Sequence, residues 1–449
     1  MKTETIQKYD KGVPRYTSYP TAHLFKPDFT PETYCDWLKA VPKDMPLSLY
    51  SHIPYCDSLC WFCGCHTKIT QKYKPIHDYL NSLRKEIAMT AEVMGRGRPV
   101  SHMHFGGGSP TILIPDDVRD LFKTFNEAFN FTSDAEIAVE IDPRDMSQEA
   151  IQAWAAGGVN RASLGVQDVQ EKVQIAINRI QSIEQTAQVA NWLHESGVHG
   201  INMDLMYGLP YQTVESVLET IHRVMDMAPE RIALFGYAHI PTLKPHQRLL
   251  PEEILPDFNE RFEQQEAAAE LLGTYGFVRI GLDHFAKPED PLAIAFKNGS
   301  LRRNFQGYTT DKAEAMIGFG ASSIGSLPNG HIQNIVPIRN YRAAIDSGTF
   351  AVAKSIPFKG QDKIRAAIIE QLMCYHKVDL NVICKEFGAT LGDFEYELEA
   401  IETFVSDGIA TYGEGIITIR HEARALVRAV SALFDEYHGQ REQLYSQAV

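Results

Sequence analysis

Cys56, Cys60 and Cys63 are the residues of this sequence with the sharpest chemical meaning. In C-x3-C-x2-C spacing, three thiolates on a short loop can hold three irons of a cubane iron–sulfur cluster. The fourth iron is then open to an exogenous ligand. A structural zinc site would need a fourth donor, and Cys65 or His66 could supply it. Zinc ligands usually come from two separated C-x2-C units, so this reading is the weaker one. A redox pair at Cys60 and Cys63 would leave Cys56 and Cys65 unexplained. Tyr55, Trp61 and Phe62 interleave the cysteines and would shield a cluster from solvent and oxygen.

Other polar groups recur at matching places. Gly106-Gly107-Gly108-Ser109-Pro110-Thr111 follows an apolar run, and its glycines let the backbone approach a ligand closely. Glu140 and Asp142, Gln167 and Asp168, and His239 end or follow later runs, Asp204 lies late in the fifth, and Arg179 lies between two of them. Carboxylates and amides can pair with the hydroxyls of a ribose, and an arginine fork suits a carboxylate. Taken singly, each also reads as a strand-end cap or a salt bridge. His52, His102, His104, His239 and His284 lie near strand ends too, where packing or substrate contact suits them better than a metal.

The elements that would carry these groups alternate. Short apolar or β-branched runs occur near 47–53, 102–105, 137–141, 162–166, 200–207 and 231–239. Between them, Ile76, Tyr79, Leu80, Leu83 and Ile87 share one helical face, as do Val118, Leu121, Phe122, Phe125 and Phe129. Alternating strands and helices predict an α/β fold with a parallel sheet, open or closed into a barrel. The candidate groups then gather at the C-terminal edge of that sheet, where such barrels place their active sites. Residues 1–45 read as an arm. Past about 340 the alternation stops, and helices near 361–376 and 391–406, a short β-rich stretch to Ile419 and a final helix over 421–445 resemble a winged-helix arrangement.

Bulk composition narrows the function classes. The chain has 449 residues, 44% of them hydrophobic and 22% charged, with a formal charge of -14. Such a balance disfavours general nucleic-acid or membrane-surface binding, and an anionic substrate would need local arginines to recruit it. Seven cysteines, four of them crowded into 56–65, read as metal binding in a reducing compartment rather than a disulfide framework. Residues 1–19 lack the apolar segment of a signal peptide, and no run of about 18 apolar residues occurs. A cytoplasmic protein is expected.

The runs PRYTSYPT, LSLYSHIPYCDSLCWFCGC, HFGGGSPT, EIAVEIDPR, LGVQD, NRIQ, NMDLMYGLP, GYAHIPT, GLDHFAKPED and RNFQGYTT together resemble the bacterial oxygen-independent coproporphyrinogen III oxidases, over about residues 10–445. Ser109 stands where that family often has Thr, and keeps the hydroxyl. The resemblance implies an incomplete (βα)6 TIM-like radical-SAM barrel over 46–340, an N-terminal arm over 1–45, and a small, mostly helical C-terminal domain over 341–449. It implies one [4Fe-4S] cluster on Cys56, Cys60 and Cys63, with Cys65 outside the ligand set, and two molecules of S-adenosyl-L-methionine (SAM). Tyr50, Gly107, Glu140 and Ile324 match positions contacting the cluster-bound SAM. Phe62, Gly108, Ser109, Gln167, Arg179, Asp204 and Ala238 match those lining a second SAM site.

The reaction it implies turns two propionates of coproporphyrinogen III into vinyl groups, giving protoporphyrinogen IX and two CO2 in anaerobic haem biosynthesis. Arg15, Arg302 and Arg303 are the candidates for the substrate's carboxylates. A monomer fed by an electron donor such as a flavodoxin or ferredoxin is expected. Related haem chaperones tend to end the cysteine motif in C-D-F rather than Cys63-Gly64-Cys65, and lack the PRYTSYPT arm. A haem-opening radical enzyme sharing the barrel is a second rival.

Overall fold

In this computed structural model, residues 12–439 are described together with Thr5, Lys8 and Tyr9. The six apolar runs pair side by side, parallel and in chain order: β1 (Leu47–Ile53), β2 (Arg98–Gly107), β3 (Phe129–Ile141), β4 (Arg161–Gln167), β5 (Gly200–Tyr207) and β6 (Arg231–Gly236). Helices return the chain between them, among them Lys74–Met94 and Pro115–Ala128. The first buries Ile76, Tyr79, Leu80, Leu83 and Ile87. The second carries proline at its start and Asp116 and Asp117 in its first turn, where acidic groups favour the helix dipole. Phe129, which the helical period claims, instead opens β3.

Strand periodicity aims the site. Along β4 and β5 every second residue is buried: Ala162, Leu164 and Val166, then Ile201, Met203, Leu205 and Tyr207. The alternate residues therefore share the opposite face of the sheet. These are Ser163, Gly165 and Gln167 on β4 and Asn202, Asp204 and Met206 on β5.

The sheet does not close. Beyond β6 lie the antiparallel β7 (Val278–Ile280) and β8 (His284–Ala286). A separate hairpin of β9 (Arg302–Asn304) and β10 (Gly307–Thr309) follows. β11 (Ala315–Phe319) then pairs parallel with β1 and leads into antiparallel β12 (Ile324–Leu327), β13 (Gly330–Asn334) and β14 (Val352–Pro357). The order β14-β13-β12-β11-β1-β2-β3-β4-β5-β6-β8-β7 leaves two edges. The (βα)6 barrel is thus incomplete, as the resemblance implies. Lys26 of the arm bridges Ser355 on the β14 edge, with N···O distances of 2.8 and 3.0 Å. Strand β14 lies past residue 340, and Tyr341, Ile345 and Phe350 pack into the same core as the barrel.

A second core joins Ile364, Ile368, Leu372, Phe394, Ile401 and Phe434 to three residues of the arm, Val13, Tyr16 and Tyr19. It contains helices Asp362–Tyr375 and Glu395–Ser406 and a three-stranded antiparallel sheet. The single helix expected over 421–445 is not formed. A 3-10 turn at His421–Leu426, a short helix at Val427–Ser431 and another turn at Ala432–Phe434 replace it, and residues from 440 on lie outside the described ones. The segment is buried on nearly every side, so packing sets its path rather than one apolar stripe. At its end, the Asp435 carboxylate accepts from the Tyr437 N–H at 2.9 Å, a local bond that competes with helix.

Glu86 fastens helix Lys74–Met94 to the turn after β11. Its carboxylate accepts from the Tyr341 hydroxyl, the Gly320 N–H and Asn334 Nδ2, each at 2.7 Å. Nearby, the Tyr79 hydroxyl donates to the His52 carbonyl at 2.7 Å and accepts from the Ala321 N–H at 3.0 Å. Burial pushes Glu86 up to about 7 against the pull of its three donors. The folded state therefore holds this proton more tightly than the unfolded one. The stability it contributes is full below the ordinary value of 4.5 and is lost as pH rises through 7. Glu86→Gln has no such titration, so it should gain on the parent by roughly 3 kcal/mol across that window. Urea unfolding at several pH values checks this, and parallel pH profiles for the two proteins would contradict it.

Candidate active site

β1 runs directly into the cysteine loop, which is tied down on several sides. The Lys68 and Thr70 N–H groups donate to the carbonyls of Pro54 (2.8 Å) and Cys56 (3.0 Å). The Trp61 N–H donates to the Ile177 carbonyl at 3.0 Å and Asn178 Nδ2 to that of Leu59 at 2.8 Å. From the segment after β6, His246 Nε2 donates to the Cys63 carbonyl at 2.8 Å and Gln247 Nε2 to that of Phe62 at 3.0 Å. Cys56, Cys60, Cys63 and Cys65 all border one cavity of about 610 Å3. Burial pushes the Cys56 thiol up to about 12. A hydrogen bond between the Cys65 and Cys63 side chains draws Cys63 down to about 6 and raises Cys65.

The glycines at the end of β2 make room for charged neighbours. A Cβ on Gly106 would stand 2.8 Å from Glu140 Oε1. Gly107 has φ +117°, and a Cβ there would stand 2.6 Å from the His52 ring. Its N–H donates to Glu140 Oε2 at 3.1 Å, while His104 Nε2 meets Glu140 Oε1 at 3.2 Å. Tyr50 stacks on His104 and bonds His52 Nδ1 through its hydroxyl at 3.0 Å. Burial pushes the Glu140 carboxyl up. The His104 hydrogen bond and charge and the Gly107 N–H outweigh that effect, so it sits below the usual carboxylate range.

Beside Cys60 stands an arginine–carboxylate group. Asp142 accepts from both ends of the Arg179 guanidinium, at 3.0 and 3.2 Å, and from Arg144 Nε at 2.9 Å and Nη2 at 2.6 Å. Both guanidiniums also reach Cys60 Sγ, Arg179 at 3.6 Å and Arg144 at 3.7 Å. Arg179 Nε is buried with no hydrogen-bond partner. Deeper in, the Ser163 hydroxyl donates to Asp204 Oδ2 at 2.8 Å and Asn202 Nδ2 to Asp204 Oδ1 at 2.7 Å. Burial pushes Asp204 up to about 6.

The cavity wall includes Phe62, Gly108, Glu140, Gln167, Arg179, Asp204, Ala238 and Arg15. Tyr50, Gly107, Ser109 and Ile324 are not part of that wall. Gly107 connects to it through Glu140, Tyr50 stacks on the His104 that bonds Glu140, and the Ser109 N–H donates to the Tyr55 carbonyl at 2.7 Å. Ile324 opens β12, paired with Gln333. Arg302 is not part of the wall either and pairs with Glu370 at 3.0 Å. Among the described residues no three His, Cys, Asp or Glu side chains form a single-ion site. The five histidines near strand ends all have local partners: Tyr50 and His66 for His52, Asp311 for His102, Glu140 for His104, Tyr237 for His239 and Asp283 for His284.

A family model described as the radical SAM superfamily matches residues 50–224. The oxygen-independent coproporphyrinogen III oxidase of Bradyrhizobium diazoefficiens is 46% identical over the full length of both chains. That of Salmonella typhimurium is 37% identical over 98% of this chain and 96% of its own. The solved coproporphyrinogen III oxidase from Escherichia coli, a radical SAM enzyme, superposes with a TM-score of 0.91 at 36% identity, covering 95% of this chain and 100% of that one. The chain belongs to the oxygen-independent coproporphyrinogen III oxidase family.

As a member of that family it uses a [4Fe-4S] cluster and SAM, and the donor set fits them. The three thiols of the C-x3-C-x2-C motif border one cavity together with Cys65, and two guanidiniums aim at the Cys60 sulfur, as suits a thiolate of an anionic cluster. An ionised carboxylate and a partly unsatisfied arginine face the same space, the complement of an amino-acid head group. Gly107→Ala places a methyl group against His52 in a backbone conformation alanine avoids. It is expected to weaken SAM binding at least about tenfold with iron content unchanged; equilibrium dialysis of the anaerobic protein measures both.

Arg144, Ser163, Asn202 and Gln247 were not singled out in the sequence. Asn202 and Ser163 could have been found from the strand period shared with Asp204 and Gln167. Arg144 had its signal in the Asp142-Pro143-Arg144 turn, where proline at the first helical position brings the arginine back over the aspartate. Gln247 had none, because it acts from an irregular segment.

Proposed function

We propose that this chain carries out the oxygen-independent oxidative decarboxylation of coproporphyrinogen III to protoporphyrinogen IX, with loss of two CO2. The observation that carries the reading is one cavity lined by the thiols of Cys56, Cys60 and Cys63, by the ionised Glu140 carboxylate and by Arg15 of the arm. Cys56, Cys60 and Cys63 would hold the cluster, which with SAM would supply the radical chemistry that oxidises each propionate, SAM being reduced to methionine and 5′-deoxyadenosine. The protein's own part is to bind, orient and exclude water.

Cys56, Cys60 and Cys63 are assigned as iron ligands. Glu140, held by Gly107 and His104, is assigned to the amino group of the cluster-bound SAM, with Tyr50 and Ile324 behind it. Arg179, Asp204, Gln167, Gly108, Ser109, Phe62 and Ala238 are assigned to a second SAM. Asp204 offers acceptor oxygens to ribose hydroxyls, and Arg179 its unpartnered Nε–H to a carboxylate. Arg15 receives a substrate carboxylate.

Seven free cysteines with no disulfide support a reducing, cytoplasmic setting, and among the described residues no helix is long and apolar enough to cross a membrane. A monomer served by a flavodoxin or ferredoxin completes the proposal. Mass spectrometry of the products from coproporphyrinogen III, SAM and a reductant under anaerobic conditions tests it. Protoporphyrinogen IX with 5′-deoxyadenosine is the expected result, and haem binding without decarboxylation would overturn the reading.

A further inference from the structure

The arm meets the cavity at one point, and its backbone there is gripped by two arginines from distant parts of the chain. Arg428, in the short helix Val427–Ser431, donates from Nε to the Pro14 carbonyl at 3.1 Å and from Nη2 to the Val13 carbonyl. Arg303, on β9, donates from Nε to the Tyr16 carbonyl at 3.1 Å and from Nη2 to the Arg15 carbonyl at 3.4 Å. Four consecutive carbonyls, of residues 13 to 16, are thus taken by two guanidiniums.

The grip is interior at Arg428 and half-buried at Arg303. Arg428 is 5% exposed, and Arg303 lies over the Tyr308 ring at 4.3 Å. Between the two sits Tyr16, whose φ of +47° is a conformation a tyrosine adopts only when its surroundings hold it. Its hydroxyl donates to Asp435 Oδ2 at 3.0 Å, on the same C-terminal unit as Arg428. Val13 and Arg15, on either side of Pro14, line the cavity. With the backbone carbonyls occupied, Arg15 is the charged residue this stretch presents to the cavity, beside the apolar Val13.

We propose that Arg428 and Arg303 are positioning residues that hold residues 13–16 so that Arg15 stands at the cavity wall to receive a carboxylate of the tetrapyrrole. The C-terminal unit thereby acts in substrate recognition without touching the substrate, and Arg303 serves the arm's backbone rather than the substrate's carboxylates. This rests on the assignment of Arg15 made above. A guanidinium suits the task because its planar fork reaches two successive carbonyls at once, which a lysine ammonium cannot match.

Hydrogen exchange of residues 12–20, read by mass spectrometry on the anaerobic, cluster-loaded full chain, and the KM for coproporphyrinogen III test it together. Iron content and thermal unfolding serve as controls for an intact fold. Arg15→Ala should raise the KM at least about tenfold, the worth of a charged hydrogen bond, and leave the exchange of 12–20 as in the parent. Arg428→Ala and Arg303→Ala should each speed that exchange and raise the KM, and add almost nothing to the KM when combined with Arg15→Ala. Arg428→Lys, which keeps the charge and loses the fork, stands in if the alanine variant does not fold, and should behave like it.

Parent-like exchange and KM in the Arg428 and Arg303 variants would overturn the proposal, as would KM effects that multiply fully with that of Arg15→Ala. An unchanged KM in Arg15→Ala alone, with faster exchange in the other two, would instead reject Arg15 as the carboxylate's partner and leave the grip on the arm standing.

Discussion

Cys56→Ala, Cys60→Ala and Cys63→Ala are each expected to abolish formation of 5′-deoxyadenosine and of protoporphyrinogen IX. The reason is arithmetic of coordination. In the proposed assignment three thiolates would hold three irons and leave the fourth for SAM, so a missing thiolate would leave a second iron without its protein ligand. Cys65→Ser should behave differently. Cys65 borders the same cavity and hydrogen-bonds Cys63, but it is assigned no iron, so iron and acid-labile sulfide should stay at parent level. Iron and sulfide analysis after anaerobic reconstitution separates the four variants. Loss of the cluster in Cys65→Ser, with full retention in any of the other three, would reassign the ligand set.

Glu140→Ala should lower SAM cleavage by roughly two orders of magnitude while the cluster still assembles. A hydrogen bond to a charged group contributes about 1.5–3 kcal/mol, and about 1.4 kcal/mol is a factor of ten. The variant also frees the Gly107 N–H and His104, which the carboxylate now holds in place. Because Glu140 lies below the usual carboxylate range, its contribution is complete at neutral pH and fades only as the medium turns acidic through that depressed value. A pH profile of SAM binding in the parent should therefore show no step from Glu140 near neutrality. Single-turnover 5′-deoxyadenosine assays give the rate, and parent-like cleavage in Glu140→Ala would remove Glu140 from the site.

The barrel and its working edge were legible because two periods speak plainly in this chain. Strand alternation separates Ile201, Met203 and Leu205 from Asn202 and Asp204, and the helical period gathers Ile76, Tyr79, Leu80 and Leu83 on one face. The cysteine spacing is local, so it too survives in one dimension. What is decided between remote segments was not readable. Arg302 and Arg303 are neighbours in sequence with the same side chain, yet one pairs with Glu370 in solvent and the other turns inward to the arm. Nothing in their immediate neighbours distinguishes them. The last helix failed for a related reason: a segment buried all round has no polar face to mark its axis, and Asp435 bonds its own turn.

The two backbone bonds between Lys26 and Ser355 carry a consequence for handling the protein. An unpaired strand edge is a template on which another chain can add itself. Here the leading segment occupies part of that edge and blocks such an addition. A version shortened past Lys26 would forfeit more than the contact proposed for Arg15, because it would bare the amide and carbonyl of Ser355 and so lengthen the open edge on which one molecule can stack on the next.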